Sequence, residues 1–491
     1  MNLNVNEIKE KQSQSISNLQ SKSTITSVSI TINNVTDNIE NNRFKTTPCF
    51  TNNYSCKSIQ FEQTIDDTFP SYLTNCETIA IPKRVKRTVE RLPKSVLNKI
   101  DTDKSIAVEK CLDFVSNLTG TIFYDNDEDK WKNLHSTYLD EKYRKGKDNT
   151  RIYKRVIDAL TYSTDSTFPI IEVKKNEYGG DTYLSNEYSK SYRLNETFAI
   201  DKIDYYILKN NDFKQKIRKN QLEKLSRAIN NKIGNNLLNV YKSIELPTLA
   251  EIKKEGDKLV NEGYVTKKGK RLAKLNKRKR ENIFGYKNLS FLEDNISRYN
   301  YLTQNGLITP SISSKAGGRV TDSFNLMPSY IRNLVKIDGE EIIEIDFKAL
   351  HPNLAMKIYG GKSKFITHQN IADFLNEDIK KVKIEHLSFF NKHPRDMKKS
   401  VLCQYYMENE REMMENILKD KKVNGYKITS KRLFELEVLI MTLIISELNE
   451  KDIYVLYVYD ALLCKKGQTD IILETMNRVI IENGVYTIAS V

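Results

Sequence analysis

Two aspartates stand at the ends of apolar runs that read as β-strands. The segment Glu341–Phe347 alternates between two faces and places Asp346 near its end. A second apolar run, Ile453–Tyr459, ends at Asp460, and another apolar run follows. Buried strands normally exclude aspartate. Paired carboxylates of this kind are ligands for hard cations, so the sequence predicts a metal site at Asp346 and Asp460.

Two cations lie between these strands in the sequence. Arg395 and Lys399 are spaced i, i+4, which predicts that both lie on one face of a helix. Like charges on one face do not stabilise an isolated helix, but they suit the binding of triphosphate oxygens beside Mg²⁺. Taken singly, these aspartates and cations also fit ordinary roles as strand-end caps, turn residues and solvated charges.

Four short motifs in residues 315–465 together resemble the ordered motif series of family A DNA polymerases, whose core is shared by single-subunit phage-type RNA polymerases. The motifs are Gly318-Arg319-Val320 with Asn325-Leu326 and Pro328, then Glu344–His351, then Arg395 with Lys399, then Val458–Leu463. No single motif is specific, whereas four in the right order form a stronger compound signal. The resemblance does not extend to residues 1–300.

The resemblance implies an α+β fold with a polymerase palm, which is an antiparallel sheet with flanking helices, and with fingers. It implies that Asp346 and Asp460 bind two Mg²⁺ ions, for which Mn²⁺ could substitute, and that they are catalytic. Arg395 and Lys399 would bind the incoming nucleotide. Lys399 would also be catalytic, as the proton donor to pyrophosphate.

The resemblance further implies that Arg319 approaches the primer terminus or template in the minor groove, and that Asn325 contacts nucleic acid with it. His351 would contact the nucleotide, because it stands where the DNA polymerases carry a glutamate that blocks the ribose 2′-hydroxyl. This departure leaves the choice between dNTPs and rNTPs open. Two further departures are Tyr459 in place of the usual histidine and the absence of the usual aromatic residue after Lys399.

An apolar pattern between the two aspartates predicts a long helix that packs into the core. Its predicted buried stripe comprises Leu433, Leu436, Leu439, Ile440, Leu443 and Ile444.

Residues 81–200 read as three helices followed by a hairpin, because three apolar stripes at helical spacing precede two extended stretches. The third helix turns Arg151, Lys154 and Arg155 outward. Helices, then a basic helix, then a hairpin is the order of a winged-helix domain, whose last helix enters a DNA groove. The sequence therefore predicts DNA binding by these three residues. An ordinary helical domain with a solvated basic face is the alternative.

Residues 201–300 read as a basic, largely helical region that could serve as a thumb. Nine of the fourteen residues from Lys267 to Arg280 are Lys or Arg, a density that repels itself unless it faces a polyanion or water. Lys274, in the middle of this tract, is predicted to bind nucleic acid, and a solvated linker is the alternative. Residues 301–491 are assigned to the palm and fingers.

Residues 1–80 are dominated by Asn, Ser, Thr and Gln and predict a disordered tail. They carry 6 basic and 8 acidic residues, so the net charge of +14 comes from the rest of the chain. Such a charge indicates an anionic partner, with nucleic acid first. The length of 491 residues excludes a single small module.

No apolar run approaches the length that spans a bilayer, so we expect a cytoplasmic monomer with no membrane contact. The six cysteines are dispersed without a CxxC pair, which indicates neither a zinc site nor a disulfide framework.

These observations lead us to expect a DNA-directed nucleotidyltransferase that extends a primer on a template with dNTPs or rNTPs, more in the manner of a DNA polymerase than of an RNA polymerase. A polymerase this compact suggests a phage, plasmid or other mobile element as the source. One alternative is an RNA-synthesising or primase-like polymerase. The other is a non-enzymatic DNA-binding replication or regulatory protein with a degenerate palm.

Overall fold

The structure is a computed structural model that describes residues 68–69, 72, 77–124, 127–144, 151–164, 168–182, 189–199, 202–274 and 288–491. Most of the predicted 1–80 tail lies outside these residues. Buried apolar side chains form three clusters: an N-terminal core within residues 79–213, a middle core within residues 252–331, and a large C-terminal core that extends to Ala489. None of the described helices is long and apolar enough to cross a membrane.

The N-terminal core consists of helices packed around small antiparallel sheets. Its elements are β1 (Thr78–Pro82), α1 (Lys83–Glu90), α2 (Lys94–Leu97), α3 (Lys104–Thr119), β2 (Lys132–Asn133), α4 (Ser136–Tyr143), α5 (Ile152–Leu160), β3 (Ile171–Val173), β4 (Ser191–Leu194), α6 (Glu196–Ala199) and β5 (Ile203–Ile207). β1 pairs with β5, and a second sheet has the order β2-β4-β3. Helix α5 buries Ile152, Val156 and Leu160, as its apolar spacing requires.

The middle of the chain is mainly helical. Its elements are α7 (Asn211–Ile229), α8 (Lys232–Val240), β6 (Ile244–Glu245), α9 (Leu249–Asn261), β7 (Arg271–Ala273), β8 (Leu289–Phe291), α10 (Leu292–Thr303), β9 (Ser311–Ser313), β10 (Arg319–Thr321), α11 (Ser323–Leu326) and α12 (Ser329–Arg332). Helix α9 begins with a capping box in which Thr248 and Glu251 exchange hydrogen bonds. Of the basic tract predicted at residues 267–280, residues 267–274 form a turn and β7, and residues 275–280 lie outside the described residues.

The C-terminal core surrounds a six-stranded antiparallel sheet. Its elements are β11 (Lys336–Ile337), β12 (Glu340–Phe347), α13 (Leu350–Tyr359), α14 (His368–Leu375), α15 (Ile379–Phe389), α16 (Pro394–Met397), α17 (Val401–Asn409), α18 (Arg411–Asn424), α19 (Ile428–Glu450), β13 (Leu456–Val458), β14 (Ala461–Lys465), α20 (Thr469–Glu482) and β15 (Ala489–Ser490). The strand order is β13-β14-β12-β11-β6, and β15 also pairs with β12. The described chain thus mixes helices with small, mostly antiparallel sheets.

Phe69 and Tyr72, which the sequence assigns to the tail, are buried against the C-terminal core. The ring of Tyr72 stacks on Tyr241 with centroids 6.1 Å apart, and the Lys242 ammonium lies 4.9 Å from the centroid of Phe69. The described residues therefore include aromatic side chains from the predicted tail.

The single helix predicted to carry Arg395 and Lys399 is two short helices. Helix α16 ends at Met397 and α17 begins at Val401, so Lys399 lies in the turn between them. Ser400 causes the break: its Oγ accepts a hydrogen bond from the backbone of Leu402 and caps α17. The two cations therefore do not share a continuous helix face.

Helix α19 buries a different face from the predicted one. Leu433, Ile440 and Ile444 are buried as expected, but Leu439 and Leu443 are 51% and 43% exposed. The buried face instead includes Glu437, which is completely buried. Because a carboxylate stands on the buried face, the apolar residues alone indicated the wrong face of the helix as the buried one.

Candidate active site

Strand pairing brings Asp346 and Asp460 to the same end of the C-terminal sheet. Strands β12 and β14 are antiparallel, and Asp346 is paired with Ala461, the residue that follows Asp460. Asp460 lies in the two-residue turn of the β13–β14 hairpin, which is closed by the pair Val458 and Ala461. The two aspartates of the predicted metal pair are thus neighbours across the sheet.

The environment of the two aspartates disfavours the ionised form of both carboxyl groups. Burial, followed by repulsion from Asp460, raises the pKa of Asp346. Burial, followed by repulsion from Glu437, raises the pKa of Asp460. The Oδ1 atom of Asp346 is also buried and receives no hydrogen bond from the described residues. Such an oxygen is destabilising unless a donor or a cation reaches it.

The pair fits a Mg²⁺ site of the kind that is completed by substrate. Within the described ranges, no group of three or more His, Cys, Asp or Glu side chains is arranged to hold a metal ion. Mg²⁺ commonly takes only one or two carboxylates from a protein and completes its shell with water and substrate phosphates. Two hard oxygen donors, one of them buried without a partner, match that requirement.

Beside the aspartates, Arg319, Glu437 and His351 form a closed network. The Arg319 guanidinium donates to both carboxylate oxygens of Glu437, with Nε 2.7 Å from Oε1. The Nε2 atom of His351 lies 2.9 Å from Oε2 of Glu437 and 3.2 Å from Nη2 of Arg319. Burial raises the pKa of Glu437, but the hydrogen bonds from His351 and Arg319 outweigh it and lower the pKa. Glu437 thus stays ionised and holds both predicted site residues in place.

Tyr459 forms the first residue of the hairpin turn with φ of +60°, in the left-handed region that tyrosine rarely adopts. A turn of this length usually has glycine there. The Arg319 guanidinium lies 4.6 Å from the centroid of the Tyr459 ring and 3.6 Å from that of Phe434. Non-glycine residues in this conformation cluster at functional sites, where the surrounding structure holds them.

Arg332 is a buried cation near the same turn. It is 7% exposed, and its guanidinium makes no hydrogen bond or ion pair with any residue that the structure describes. Burial lowers the pKa of Arg332, while the negative charge of Glu344 acts in the opposite direction. A buried guanidinium with five donors and no acceptor is suited to bind an anion.

Lys267 from the basic tract reaches the open face of β12. Its Nζ atom donates to Oε1 of Glu344 at 3.2 Å, and its positive charge partly opposes the rise in the pKa of Asp346. Lys274, the residue of the tract predicted to bind nucleic acid, pairs with Asp257 at 2.8 Å, and its contact with nucleic acid stays a prediction.

Asn325 lies under the site rather than on an open surface. Its Nδ2 atom donates to the backbone carbonyl of Tyr457 on β13, and it is 9% exposed. Its Oδ1 atom is buried and has no hydrogen-bond partner in the described chain. Asn325 therefore supports the strand that leads into Asp460, and its predicted contact with nucleic acid stays a prediction.

Arg395 and Lys399 are exposed and lie apart from the network. Lys399 pairs with Asp396 at 3.5 Å, and its side chain is 79% exposed. Across the described residues, neither cation forms a hydrogen bond or ion pair with Asp346 or Asp460. Their roles in nucleotide binding stay predictions.

Arg151, Lys154 and Arg155 are exposed on or just before α5 of the N-terminal core. Arg155 donates to the backbone carbonyl of Lys99 at 2.6 Å, whereas the side chains of Arg151 and Lys154 form no hydrogen bond or ion pair with the residues that the structure describes. The structure therefore keeps these cations together on one surface.

The sequence interpretation did not identify Glu437 or Arg332. Glu437 lies inside an apolar helical pattern, and a lone carboxylate in such a pattern was the available signal. Arg332 follows the motif that contains Asn325 and Pro328, but nothing in the local sequence marks it as buried.

No family model and no curated protein matches this chain. Among solved structures, the chain is similar to the POL domain of Pol1 from M. smegmatis in complex with DNA primer-template and dNTP. The TM-score is 0.34 and the identity 9%, with 57% of this chain and 73% of that chain covered.

Proposed function

We propose that the chain is a template-directed nucleotidyltransferase with a palm-like catalytic sheet. The observation that carries the proposal is the pairing of Asp346 with Ala461, which makes Asp346 and Asp460 neighbours at one end of an antiparallel sheet. The buried Oδ1 of Asp346, which has no hydrogen-bond partner among the described residues, and the repulsion that Asp460 exerts on Asp346 support a cation-binding role. Arg332, which has no hydrogen-bonded partner among the described residues, would offer positive charge to the phosphates of a nucleotide or strand.

The proposed reaction joins a primer 3′-hydroxyl to the α-phosphate of a nucleoside triphosphate and releases pyrophosphate. Asp346 and Asp460 would hold Mg²⁺, or Mn²⁺ in its place, and a bound ion would activate the hydroxyl and offset phosphate charge. The chain's own contribution is to orient the carboxylates through the β12–β14 register. Arg395 would bind the triphosphate, and Lys399 would donate a proton to the leaving pyrophosphate.

We further propose that the N-terminal core binds duplex DNA through α5. The order helix α3, strand β2, helices α4 and α5, then strands β3 and β4, with the first strand paired to the last, supports a winged-helix arrangement. In that arrangement the exposed side chains of Arg151 and Lys154 would face the DNA groove.

Primer extension on a DNA template tests the proposal. With dNTPs and Mg²⁺, the wild-type chain should extend the primer, while Asp346→Asn and Asp460→Asn should each reduce incorporation at least about 100-fold, equivalent to about 2.7 kcal/mol of transition-state stabilisation. Gel-shift binding of the primer–template should persist in both variants, because neither substitution removes positive charge.

Asp338→Asn is the matched control. Asp338 lies in the β11–β12 turn at the other end of the same strand, is exposed, and has φ of +50°, which asparagine also tolerates. Its activity should equal that of the wild type. Incorporation at the wild-type rate by both Asp346→Asn and Asp460→Asn would exclude the metal assignment. Parallel reactions with rNTPs test the alternative of an RNA-synthesising or primase-like enzyme.

A second candidate is a DNA-binding protein without catalysis. It is favoured by the network in which Glu437 already binds Arg319 and His351, and by the position of Lys399 in the turn after α16, off the helix that carries Arg395. Duplex binding without incorporation of any nucleotide, with Mg²⁺ or Mn²⁺, would support this candidate over the polymerase.

A further inference from the structure

A cleft of about 380 Å³ lies between the N-terminal core and helix α10. One wall comes from the segment that follows α3 and from β2, and the other from α10 and α11. Pockets that bind small ligands have volumes of about 300–1,000 Å³ and often lie between packed units. The lining residues that matter most are Phe123, Tyr124, Trp131, Lys132, Arg298 and Tyr301.

Aromatic rings enter this cleft from both walls. Phe123 and Tyr301 pack against each other in a tilted arrangement with centroids 5.3 Å apart, and Tyr124 is 42% exposed. Gly120 makes the approach of the walls feasible, because a Cβ atom there would lie 2.9 Å from the Tyr301 hydroxyl. Trp131 also lines the cleft. The cleft thus offers apolar ring faces rather than a smooth aliphatic wall.

Positive charge accompanies the rings. Lys132 and Arg298 line the cleft, against one acidic residue, Asp129. The guanidinium of Arg193 lies 4.6 Å, and the ammonium of Lys174 5.8 Å, from the centroid of the Trp131 ring, and these two cations pair with Glu172 and Glu128, so the charge available to a ligand is that of the lining cations. Aromatic faces beside Lys and Arg are the means by which proteins bind unpaired bases, since every base can stack and every phosphate is anionic.

We infer that this cleft binds an unpaired nucleotide of single-stranded nucleic acid, with the base against the aromatic rings and the phosphates near Lys132 and Arg298. A base inside a duplex is excluded, because its faces are covered by neighbouring base pairs. The site differs from the aspartate site, and the two share no lining residue. They are linked through α11, where Leu326 lines the cleft and Asn325 bonds the strand that ends at Asp460.

The inference does not require catalysis, because a non-enzymatic DNA-binding protein would use the cleft in the same way. Trp131 is the only tryptophan of the chain, so its fluorescence reports directly on the cleft. We expect an oligo(dT) of about 12 nucleotides, within the roughly 4–16 nucleotides that single-strand binders cover, to quench this emission saturably. The same titration with Asp346→Asn should give the same curve, which separates this inference from the proposed reaction.

A matched pair of variants tests the contact itself. Tyr124→Ala should weaken oligo(dT) binding at least about fivefold, equivalent to about 1 kcal/mol, in fluorescence anisotropy of labelled oligonucleotide. Tyr426→Ala is the control, because Tyr426 has the same 42% exposure and lies on the C-terminal core. It should bind as the wild type does.

Three outcomes would overturn the inference. One is binding of oligo(dT) with no change in Trp131 emission. Another is an equal quench by a blunt oligo(dT)·oligo(dA) duplex, which would remove the need for an unpaired base. The third is saturation by thymidine monophosphate at the same concentration as oligo(dT), which would assign the cleft to free nucleotides.

Discussion

Glu437 is the residue on which the charge balance of the candidate site depends. It is completely buried and neutralises Arg319 while it also bonds His351. Removing one member of a buried ion pair leaves an uncompensated charge, which typically lowers the free energy of unfolding by about 3–5 kcal/mol. We therefore expect Glu437→Leu to reduce the free energy of unfolding by that amount, measured by urea denaturation.

Glu435→Leu is the control for this prediction. Glu435 lies on the same helix and is exposed, and among the described residues its side chain forms a single surface pair, with Lys431 at 3.7 Å. Its replacement should change the free energy of unfolding by no more than about 0.5 kcal/mol. Equal, small effects of the two substitutions would show that Glu437 does not hold Arg319 as the structure describes.

Arg332 is expected to contribute to function but not to stability. Because its guanidinium is buried with no hydrogen-bonded partner in the described chain, Arg332→Met should keep or raise the free energy of unfolding. If Arg332 binds a substrate phosphate, kcat/KM for nucleotide incorporation should fall about 10- to 100-fold, the equivalent of one charge-assisted hydrogen bond. A variant that unfolds more easily but incorporates nucleotides normally would contradict this role.

At the scale of elements, the sequence predicted the strands better than the helices. Alternation in Glu341–Phe347 correctly indicated β12, and the apolar run Ile453–Tyr459 contains a shorter strand than predicted, Leu456–Val458. The break between α16 and α17 was missed, because it depends on Ser400. Its hydroxyl caps α17 and also donates to Glu385 on α15 at 2.5 Å, a contact made across the fold. Glu437 was missed for a similar reason, since its partners Arg319 and His351 lie far away in the sequence.

A buried histidine on helix α15 is expected to make the free energy of unfolding depend on pH. His386 is buried, its Nδ1–H donates to the carbonyl of Val382 at 3.1 Å, and its Nε2 accepts from the Tyr406 hydroxyl at 2.8 Å. Burial first, and then the nearby His368, lower the pKa of His386 from 6.5 to about 3. Between these values the unfolded chain binds a proton that the folded chain does not, so stability present above about pH 6.5 is lost as the pH falls.

The expected loss from this one group is up to about 1.4 kcal/mol per pH unit. His386→Gln should make the pH dependence of the free energy of unfolding shallower by about that amount between about pH 6 and pH 4, in urea denaturation. Tyr406→Phe should lower stability by about 1 kcal/mol at every pH and keep the slope. An unchanged slope in His386→Gln would assign the acid sensitivity to other groups.

At the scale of the whole molecule, the charge of +14 is distributed over separate surfaces. Near the aspartates and in the aromatic cleft, the cations pair with carboxylates or lie against aromatic rings. The surface of α5 differs, because Arg151 and Lys154 are exposed cations with no carboxylate among the partners that the structure describes for them. Contact with phosphates there would add mainly to the salt-dependent part of DNA binding.

Substituting both Arg151 and Lys154 by Ala should therefore flatten the dependence of duplex affinity on salt. Each lost phosphate contact reduces the slope of log K against log salt by about 0.9, so the pair should reduce it by about 1.8. Lys419 and Lys422 form the control pair, because they are also exposed and three residues apart on a helix, α18, for which we propose no DNA contact. Anisotropy titrations of a labelled duplex over a range of salt concentrations measure both slopes. If the two double variants shift the slope equally, the net charge of the molecule, rather than a docked α5, accounts for its attraction to DNA.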